Sequence, residues 1–338
     1  MANLELWKKI YSLSDEFFSL KPWEYIGEAN IFAVESPESG KEYFISIMGK
    51  LGEMYALSAY EDAEGFYKFR ELEEAQEELP PETILFIPHI MISLDDREDV
   101  PEEQREVIKQ LGLKYRGKQS WVNIRQVIPG YFPDVPDQEH VQDLPHILSQ
   151  SIDVIKRASQ DPSFIYNEEQ DENEYLFRMP KPKEGGYEWE DQYRQVPEPA
   201  EEKDFNPDQK NMEAFTNLPQ GEQVIETDLV MIPAPVHNKN EKPYYPFMFL
   251  MVDPDSGMVL DFALLTPHPD LDSMISKFPD TLFEKFIKQG KRPRVIRYKS
   301  LFIEQAMDYI EEQTGQQTER HSELHALDQA VDSFLKQL

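Results

Sequence analysis

The sequence contains no cysteine. This absence excludes disulfide bonds, thiolate zinc sites, iron–sulfur clusters and cysteine nucleophiles. Basic residues are also scarce, because 34 Lys and Arg stand against 65 Asp and Glu, which gives a formal charge of −31 at pH 7. A charge of that sign argues against general binding to nucleic acid or to an anionic membrane surface.

Long apolar runs are missing as well. No stretch reaches the roughly 20 apolar residues that a membrane-spanning helix needs, and the N-terminal segment has no apolar run of signal-peptide length. We therefore predict a soluble, cytoplasmic protein with no membrane partner. Hydrophobic residues nevertheless make up 40% of the 338 residues and aromatic residues 12%, which suffices for a packed core and predicts about two domains.

The first half of the chain alternates helical and strand-like patterns. Apolar residues recur at helical spacing over 4–20 and again over 138–158, which predicts two amphipathic helices. Short runs rich in β-branched and aromatic residues predict strands at 30–35, 42–48, 54–60 and 83–93, further helices at 62–78 and 101–111, and a hairpin over 175–193. This order indicates an antiparallel meander with flanking helices.

The second half predicts a mixed sheet. The order of its predicted elements is strands at 228–232, 245–252 and 258–265, a helix at 271–289, a strand at 294–298, and helices at 301–312 and 321–338. A strand–helix–strand crossover implies a parallel pair beside the hairpin, with helices packed on the sheet.

A Pro-rich acidic stretch separates the two halves. Residues 197–222 are rich in Pro, Glu, Asp and Asn and have few large apolar side chains, which predicts a linker. The fold class is therefore predicted as α+β with two domains, 1–196 and 223–338.

One local concentration of cations and aromatic residues lies in this acidic chain, between residues 109 and 133. An Arg beside an aromatic ring can hold a carboxylate, a phosphate or a base by paired hydrogen bonds and stacking. The alternative is that the cations follow and cap a helix and pair with neighbouring acids, while the aromatic residues are core. The predicted binding residues are Lys114, Arg116, Lys118, Trp121, Arg125 and Tyr131.

Three motifs carry a resemblance to a known family: PWE at 22–24, MGKLGE at 48–53 and IKQLGLKYRGK at 108–118. They resemble the signature of a bacterial two-domain family of unknown function, and the second half resembles the domain of unknown function that usually follows it. The resemblance implies no activity. Some relatives carry a zinc-binding tail of the SEC-C type with Cys and His ligands, which a chain without cysteine does not have.

The second half also resembles the ribonuclease-H-like core of integrases, in fold only. Such enzymes hold two magnesium ions with carboxylates from several strands, and Asp228, Asp253 and Asp261 are the candidates here. However, the strand after the helix ends in Arg297-Tyr298-Lys299, which places a cation where a carboxylate is required. We expect a degenerate, non-catalytic relative.

Two histidines have the spacing of some zinc sites, but the residues between them do not match the metalloprotease pattern. His321 and His325 are four residues apart, so a continuous helix would place both on one face, as in some zinc sites. Glu323 occupies the third place of this run, whereas the metalloprotease pattern needs Glu in the second place. We expect an exposed pair, and we predict no metal, no cofactor and no catalytic residue.

These observations favour a non-enzymatic binding or protein-interaction module whose partner is an unknown protein or a small anionic ligand. One alternative is a metal-dependent nuclease-like enzyme of nucleic-acid metabolism, built on the second domain. Another is an acidic decoy of nucleic-acid-binding proteins, because rows of carboxylates can imitate phosphates.

Overall fold

A computed structural model describes residues 3–74, 81–165, 173–199, 205–239 and 241–336. The chain divides into two compact units. The first comprises Met1–Pro129 and Pro133–Ala200, and the second comprises Gly130–Phe132 and Glu201–Leu338. Both units combine helices with a mixed sheet, so the predicted α+β class is confirmed.

The first unit contains a seven-stranded sheet of order β5-β4-β3-β2-β1-β6-β7. Its strands are β1 (Phe32–Glu35), β2 (Glu42–Met48), β3 (Ala56–Glu61), β4 (His89–Asp95), β5 (Trp121–Val127), β6 (Glu174–Lys183) and β7 (Gly186–Gln195). The run from β1 to β5 is antiparallel throughout, which confirms the predicted meander. The hairpin of β6 and β7 joins the sheet through a parallel pairing of β6 with β1.

Within the described ranges, the α-helices on this sheet are α1 (Leu4–Ser19), α2 (Asp62–Glu74), α3 (Glu102–Gln110) and α4 (Gln138–Ala158). Alternate residues of a strand face opposite sides of its sheet. Ile45 therefore packs in the core with α1 and α4, whereas its neighbour Phe44 packs with Phe66 of α2, the ring centroids lying 4.6 Å apart. The apolar residues whose spacing predicted α1 and α4 lie on the face that each helix buries.

The strand predicted over 83–93 is only half correct. A 3-10 turn occupies Pro81–Phe86, and β4 begins at His89. Pro88 lacks the backbone N–H that a strand interior uses, while its carbonyl accepts a hydrogen bond from Glu61 at 3.1 Å. The buried apolar run therefore changes from turn to strand at this proline.

The second unit contains a five-stranded sheet of order β10-β9-β8-β11-β12. Its strands are β8 (Val224–Met231), β9 (Phe247–Asp253), β10 (Met258–Leu265), β11 (Val295–Tyr298) and β12 (Gln317–Arg320), and its helices are α5 (Gln209–Thr216), α6 (Leu271–Ser276), α7 (Phe278–Gln289), α8 (Glu304–Thr314) and α9 (His325–Leu335). The strands β8, β9 and β10 are antiparallel, whereas β11 is parallel to β8 and to β12. The predicted mixed sheet is confirmed.

Helices lie on both faces of this second sheet. Leu250 of β9 packs with Leu327 of α9 on one face, and on the other face Phe249 contacts Phe278 of α7 at a centroid distance of 5.6 Å. In the described part of the chain, no helix is both long and apolar enough to cross a membrane.

Two helix predictions in this unit need correction. The helix predicted over 271–289 is interrupted at Lys277, because Pro279 in the first turn of α7 cannot continue the hydrogen bonding of α6. The helix predicted over 321–338 begins only at His325 and follows a short strand, β12, while residues 337–338 lie outside the described ranges. His321 precedes the helix, so the two histidines do not share a helix face.

The predicted linker, 197–222, is partly structured. Residues 200–204 lie outside the described ranges, but α5 lies within the predicted linker, and its Phe215 is fully buried against Phe283 at a centroid distance of 4.8 Å. The domain limits 1–196 and 223–338 remain predictions.

Candidate functional site

A groove of about 660 Å³ lies beside α3 in the first unit. We call it the basic groove. Its walls come from the loop before α3, one side of α3, the loop after it and the start of β5. The lining residues are Arg97, Glu102, Arg105, Glu106, Ile108, Lys109, Gly112, Leu113, Lys114 and Trp121.

Gln104 fixes α3 against the edge of the sheet. Its side-chain carbonyl accepts a hydrogen bond from the backbone N–H of Ile124 at 3.0 Å, and its side-chain amide donates to the Ile124 carbonyl at 2.6 Å. The buried amide thus satisfies both backbone groups of one residue of β5, which has no neighbouring strand on that side. This contact sets the distance between the helix and Trp121, and so the width of the groove.

The end of α3 turns the chain back along the helix. Gly112 adopts φ +69°, its N–H donates to Lys109, and the N–H of Leu113 donates to Ile108, each at 3.1 Å. These two bonds form a Schellman motif, whose left-handed residue favours glycine. Because the chain reverses here, Lys114 lies beside the last turn of α3.

The loop from Gly112 to Ser120 is anchored on its inner side. Leu113 and Tyr115 pack against the core, and the Tyr115 hydroxyl donates to Asp15 of α1 at 3.0 Å. Burial raises the pKa of the Asp15 carboxyl, partly offset by this hydrogen bond. Lys114 and Arg116 alternate with these half-buried residues and are exposed.

The charges of the groove do not cancel. Its four cations and two carboxylates leave a formal charge of +2. Lys109 has a partner, Glu106, at 3.3 Å. Among the residues that the structure describes, no carboxylate oxygen lies within 4.0 Å of the charged nitrogens of Arg97, Arg105 or Lys114. Three of the four groove cations are therefore free to contact a ligand.

Arg97 and Trp121 form the end of the groove nearest the sheet. The Arg97 guanidinium lies 5.6 Å from the centre of the Trp121 ring, within the range of a cation–π contact. The Arg97 carbonyl accepts a hydrogen bond from the Arg105 guanidinium at 3.4 Å. The Trp121 ring thus supports the Arg97 guanidinium. No carboxylate in the described ranges forms an ion pair with this guanidinium.

The structure brings together two of the six predicted binding residues. Lys114 and Trp121 line the groove, whereas Arg116 and Lys118 are exposed on the same loop outside it. Arg125 lies further along β5 and forms an ion pair with Asp95 at 3.1 Å.

Tyr131, the sixth predicted residue, belongs to the second unit. Its hydroxyl lies 2.9 Å from the carbonyl oxygens of both Pro267 and Pro269. Trp121, the other aromatic residue among the six predicted ones, belongs to the first unit.

Sequence reasoning missed Arg97 and Arg105. Arg105 and Lys109 are four residues apart, so the helix places both on one side, and this spacing was a usable signal. Arg97 lies in a loop, where no periodicity indicates which way a side chain faces.

The three candidate metal ligands have separate structural roles. The buried Asp228 accepts hydrogen bonds from the backbone of Leu229 at 2.8 Å and Ser300 at 3.0 Å. Asp253 caps the β9–β10 turn through Ser256 at 2.9 Å, and Asp261 pairs with Lys285 at 2.9 Å.

The sheet register keeps Asp228 and Asp261 apart. Asp228 and Phe262 both pair with Leu250, so their side chains lie on one face of the sheet. Asp261 pairs with Met251 and points to the opposite face. Across the described ranges, no cluster of three His, Asp or Glu side chains is arranged to hold a metal ion.

Two protein-family models match the chain, one in each half. A family model described as "Domain of unknown function (DUF7309)" matches residues 7–178, just over half of the chain. The chain belongs to this family. A second model, "Domain of unknown function (DUF6930)", matches residues 211–335. The predicted two-domain family of unknown function is confirmed, while no curated protein is significantly similar in sequence.

The DUF7309 region contains the basic groove and a second polar cluster centred on His140 of α4. Its ring nitrogens lie 2.9 Å from Glu61 and 2.8 Å from Asp137. Burial alone would lower the pKa of His140, but these two carboxylates outweigh it and raise the pKa. Two acidic partners favour the imidazolium ion over a free base, which suits an ion-paired structural contact rather than proton abstraction.

Asp143, one turn further along α4, completes that cluster. The carboxylate is fully buried and accepts hydrogen bonds from the hydroxyl groups of Ser36 at 2.5 Å, Ser39 at 2.7 Å and Tyr43 at 2.7 Å. These contacts tie the β1–β2 turn of the DUF7309 region to α4. The cluster is separate from the groove lining.

Proposed function

We propose that this protein is a non-enzymatic binding module that holds a small anionic ligand in the basic groove. The observation that carries the proposal is the set of three groove cations, Arg97, Arg105 and Lys114, that have no carboxylate partner among the described residues. The bacterial origin and cytoplasmic location predicted from the sequence are part of the same proposal.

The three groove cations are informative because they lie beside one cavity. Acidic residues outnumber basic ones 65 to 34, and other cations without a carboxylate partner in the described ranges, such as Lys50 and Lys118, do not line it. Lys68, Arg70 and Lys156, outside the groove, each have an acidic partner within 3.2 Å. Cations left unpaired beside one cavity offer charge-assisted hydrogen bonds to a ligand.

The size and floor of the groove fit a small molecule. Ligand pockets have volumes of roughly 300–1,000 Å³ and combine apolar walls with a few polar groups. The apolar part of the basic groove consists of Ile108, Leu113 and Trp121.

The nuclease alternative gains no support from this arrangement. Asp228 and Asp261 lie on opposite faces of the DUF6930 sheet, and Asp261 is paired with two lysines. The ribonuclease-H-like resemblance therefore remains one of fold.

Titration calorimetry with phenyl phosphate, benzoate and inorganic phosphate at 0.15 M salt tests the proposal. We expect binding of at least one anion, weakened about tenfold or more, or about 1.4 kcal/mol, in the double variant Arg105→Ala/Lys114→Ala. The variant Arg116→Ala/Lys118→Ala removes the same charge from exposed positions outside the groove. It should bind within about twofold of wild type, because charges that do not contact the ligand are largely screened at 0.15 M salt. Equal affinity in the two double variants would contradict the groove as the site.

A further inference from the structure

We infer that the ligand of the basic groove carries a dianionic phosphate monoester on an apolar or aromatic body. This inference rests on the proposed function and specifies the ligand class. The supporting observations are the net charge of the groove, the directions from which its cations come, and its apolar floor.

Charge balance favours two negative charges over one. Four cations and two carboxylates leave +2 in the groove. A phosphate monoester carries about −1.5 to −2 at pH 7, which neutralises this excess, whereas a single carboxylate or sulfate ester supplies only one charge. Glu102 and Glu106 in the same wall disfavour an extended polyanion such as nucleic acid, because its further phosphates would meet carboxylates.

The cations approach from three segments of the chain. Arg105 and Lys109 lie one turn apart on α3, Arg97 precedes the helix, and Lys114 follows it. Three terminal oxygens of a phosphate accept hydrogen bonds from several directions at once, which a planar carboxylate does less well. Arg97 offers a planar fork supported by the Trp121 ring.

The floor of the groove indicates what the phosphate is attached to. Ile108 is only 2% exposed, so the apolar surface that the groove presents to a ligand comes from Leu113 and Trp121, which are half-buried. Inorganic phosphate would leave Leu113 and Trp121 uncovered. An aromatic or aliphatic body would bury them and gain roughly 25 cal/mol per Å² of apolar surface removed from water.

Phenyl phosphate and phenyl sulfate provide a matched pair of probes, since they have the same shape and differ in charge. At pH 7.5 and 0.15 M salt, calorimetry should show phenyl phosphate binding about tenfold more tightly than phenyl sulfate, since the second negative charge of the phosphate strengthens its contacts with the groove cations. At pH 5.0 this preference should shrink toward equality, because the second phosphate pKa is about 6. Phenyl sulfate controls for any titration of the protein itself.

Two further measurements show where the probes bind and whether the natural phosphate belongs to a protein or to a free small molecule. Arg105→Ala/Lys114→Ala should remove the preference for phenyl phosphate, and Arg116→Ala/Lys118→Ala should retain it. A tyrosine-phosphorylated peptide binding more tightly than phenyl phosphate identifies a protein-borne phosphate, and weaker binding identifies a free small molecule.

The outcomes separate this inference from the proposal beneath it. If both probes bind equally well at pH 7.5 and the groove variant loses both, the basic groove is an anion site, but the phosphate inference is wrong. If neither probe binds, or if the groove variant binds both as wild type does, the inference and the proposed function are both wrong.

Discussion

Asp228 is a carboxyl group held away from water, 1% exposed on the central strand of the second sheet. Burial raises its pKa to about 7, although hydrogen bonds from the backbone of Leu229 and Ser300 lower it in part. The folded protein therefore keeps a proton that the unfolded chain has already released between about pH 4 and pH 7.

This proton makes stability depend on pH. Because the folded-state pKa is raised, the contribution of Asp228 is fully present below about pH 4 and is lost as pH rises through about 7. We expect the free energy of unfolding of wild type to fall by up to about 4 kcal/mol from this group, at 1.36 kcal/mol per pKa unit.

Denaturant titrations at pH 5 and pH 8 span about two of these pKa units and should show roughly 3 kcal/mol of the effect, with Asp228→Asn as the comparison. The variant leaves the N–H of Ser300 without a good acceptor and should be less stable overall, but the part of the pH slope that Asp228 supplies should disappear. The same slope in both proteins would assign the pH dependence to other groups, such as His140.

Single residues also show why the candidate site was predicted only in part. Lys114 and Trp121 were found because a local excess of cations and aromatic residues is visible in sequence. Arg125 belongs to the same cluster in sequence but pairs with Asp95, a partner 30 residues away that local composition cannot reveal.

At the scale of elements, β10 is an edge strand with apolar side chains in contact with water. Phe262 and Leu264 are each 56% exposed. Such edges pair readily with other chains unless they are protected. Here the N–H of Phe262 donates to Asp261 at 2.8 Å and its carbonyl accepts from Lys285 at 2.9 Å. The Asp261–Lys285 pair thus occupies the middle of the edge.

Lys285→Ala should therefore promote self-association. The change frees the Phe262 carbonyl beside an apolar strand, and we expect a concentration-dependent increase in mass by light scattering. Lys288→Ala is the control, because Lys288 also contacts Asp261, at 3.3 Å, but does not contact the Phe262 carbonyl. Both variants change the net charge equally. If both associate alike, charge rather than edge protection governs the effect.

Elements with strong periodicity were predicted well, and those fixed by distant contacts were not. The apolar spacing over 138–158 gives α4 with the predicted bounds, because the helix buries one continuous face. The strand β12 has no apolar pattern and exists because it pairs with β11. Sequence periodicity cannot report a strand that depends on its neighbour for its hydrogen bonds.

At the scale of the whole molecule, the excess of negative charge should oppose folding. A formal charge of −31 is confined to a smaller volume when the chain folds, so repulsion destabilises the compact state. Salt reduces this repulsion by shortening the Debye length from about 30 Å at 0.01 M to about 8 Å at 0.15 M.

We expect the melting temperature to rise by several degrees between these two salt concentrations. For domains of this size, about 2–4 °C corresponds to 1 kcal/mol of stability. Thermal unfolding followed by circular dichroism measures the shift, with equal osmolality of sucrose as the uncharged control. A lower melting temperature at 0.15 M would mean that attractive ion pairs outweigh the net repulsion.

The amide of Gln104 has a consequence for the order of assembly. It bonds both backbone groups of Ile124, so α3 gains its docking partner only after the polypeptide has passed residue 124 and β5 has been added to β4. The basic groove therefore exists only where α3 has docked on β5. A ligand that binds the groove stabilises this contact by mass action and so opposes the separation of α3 from the edge of the sheet.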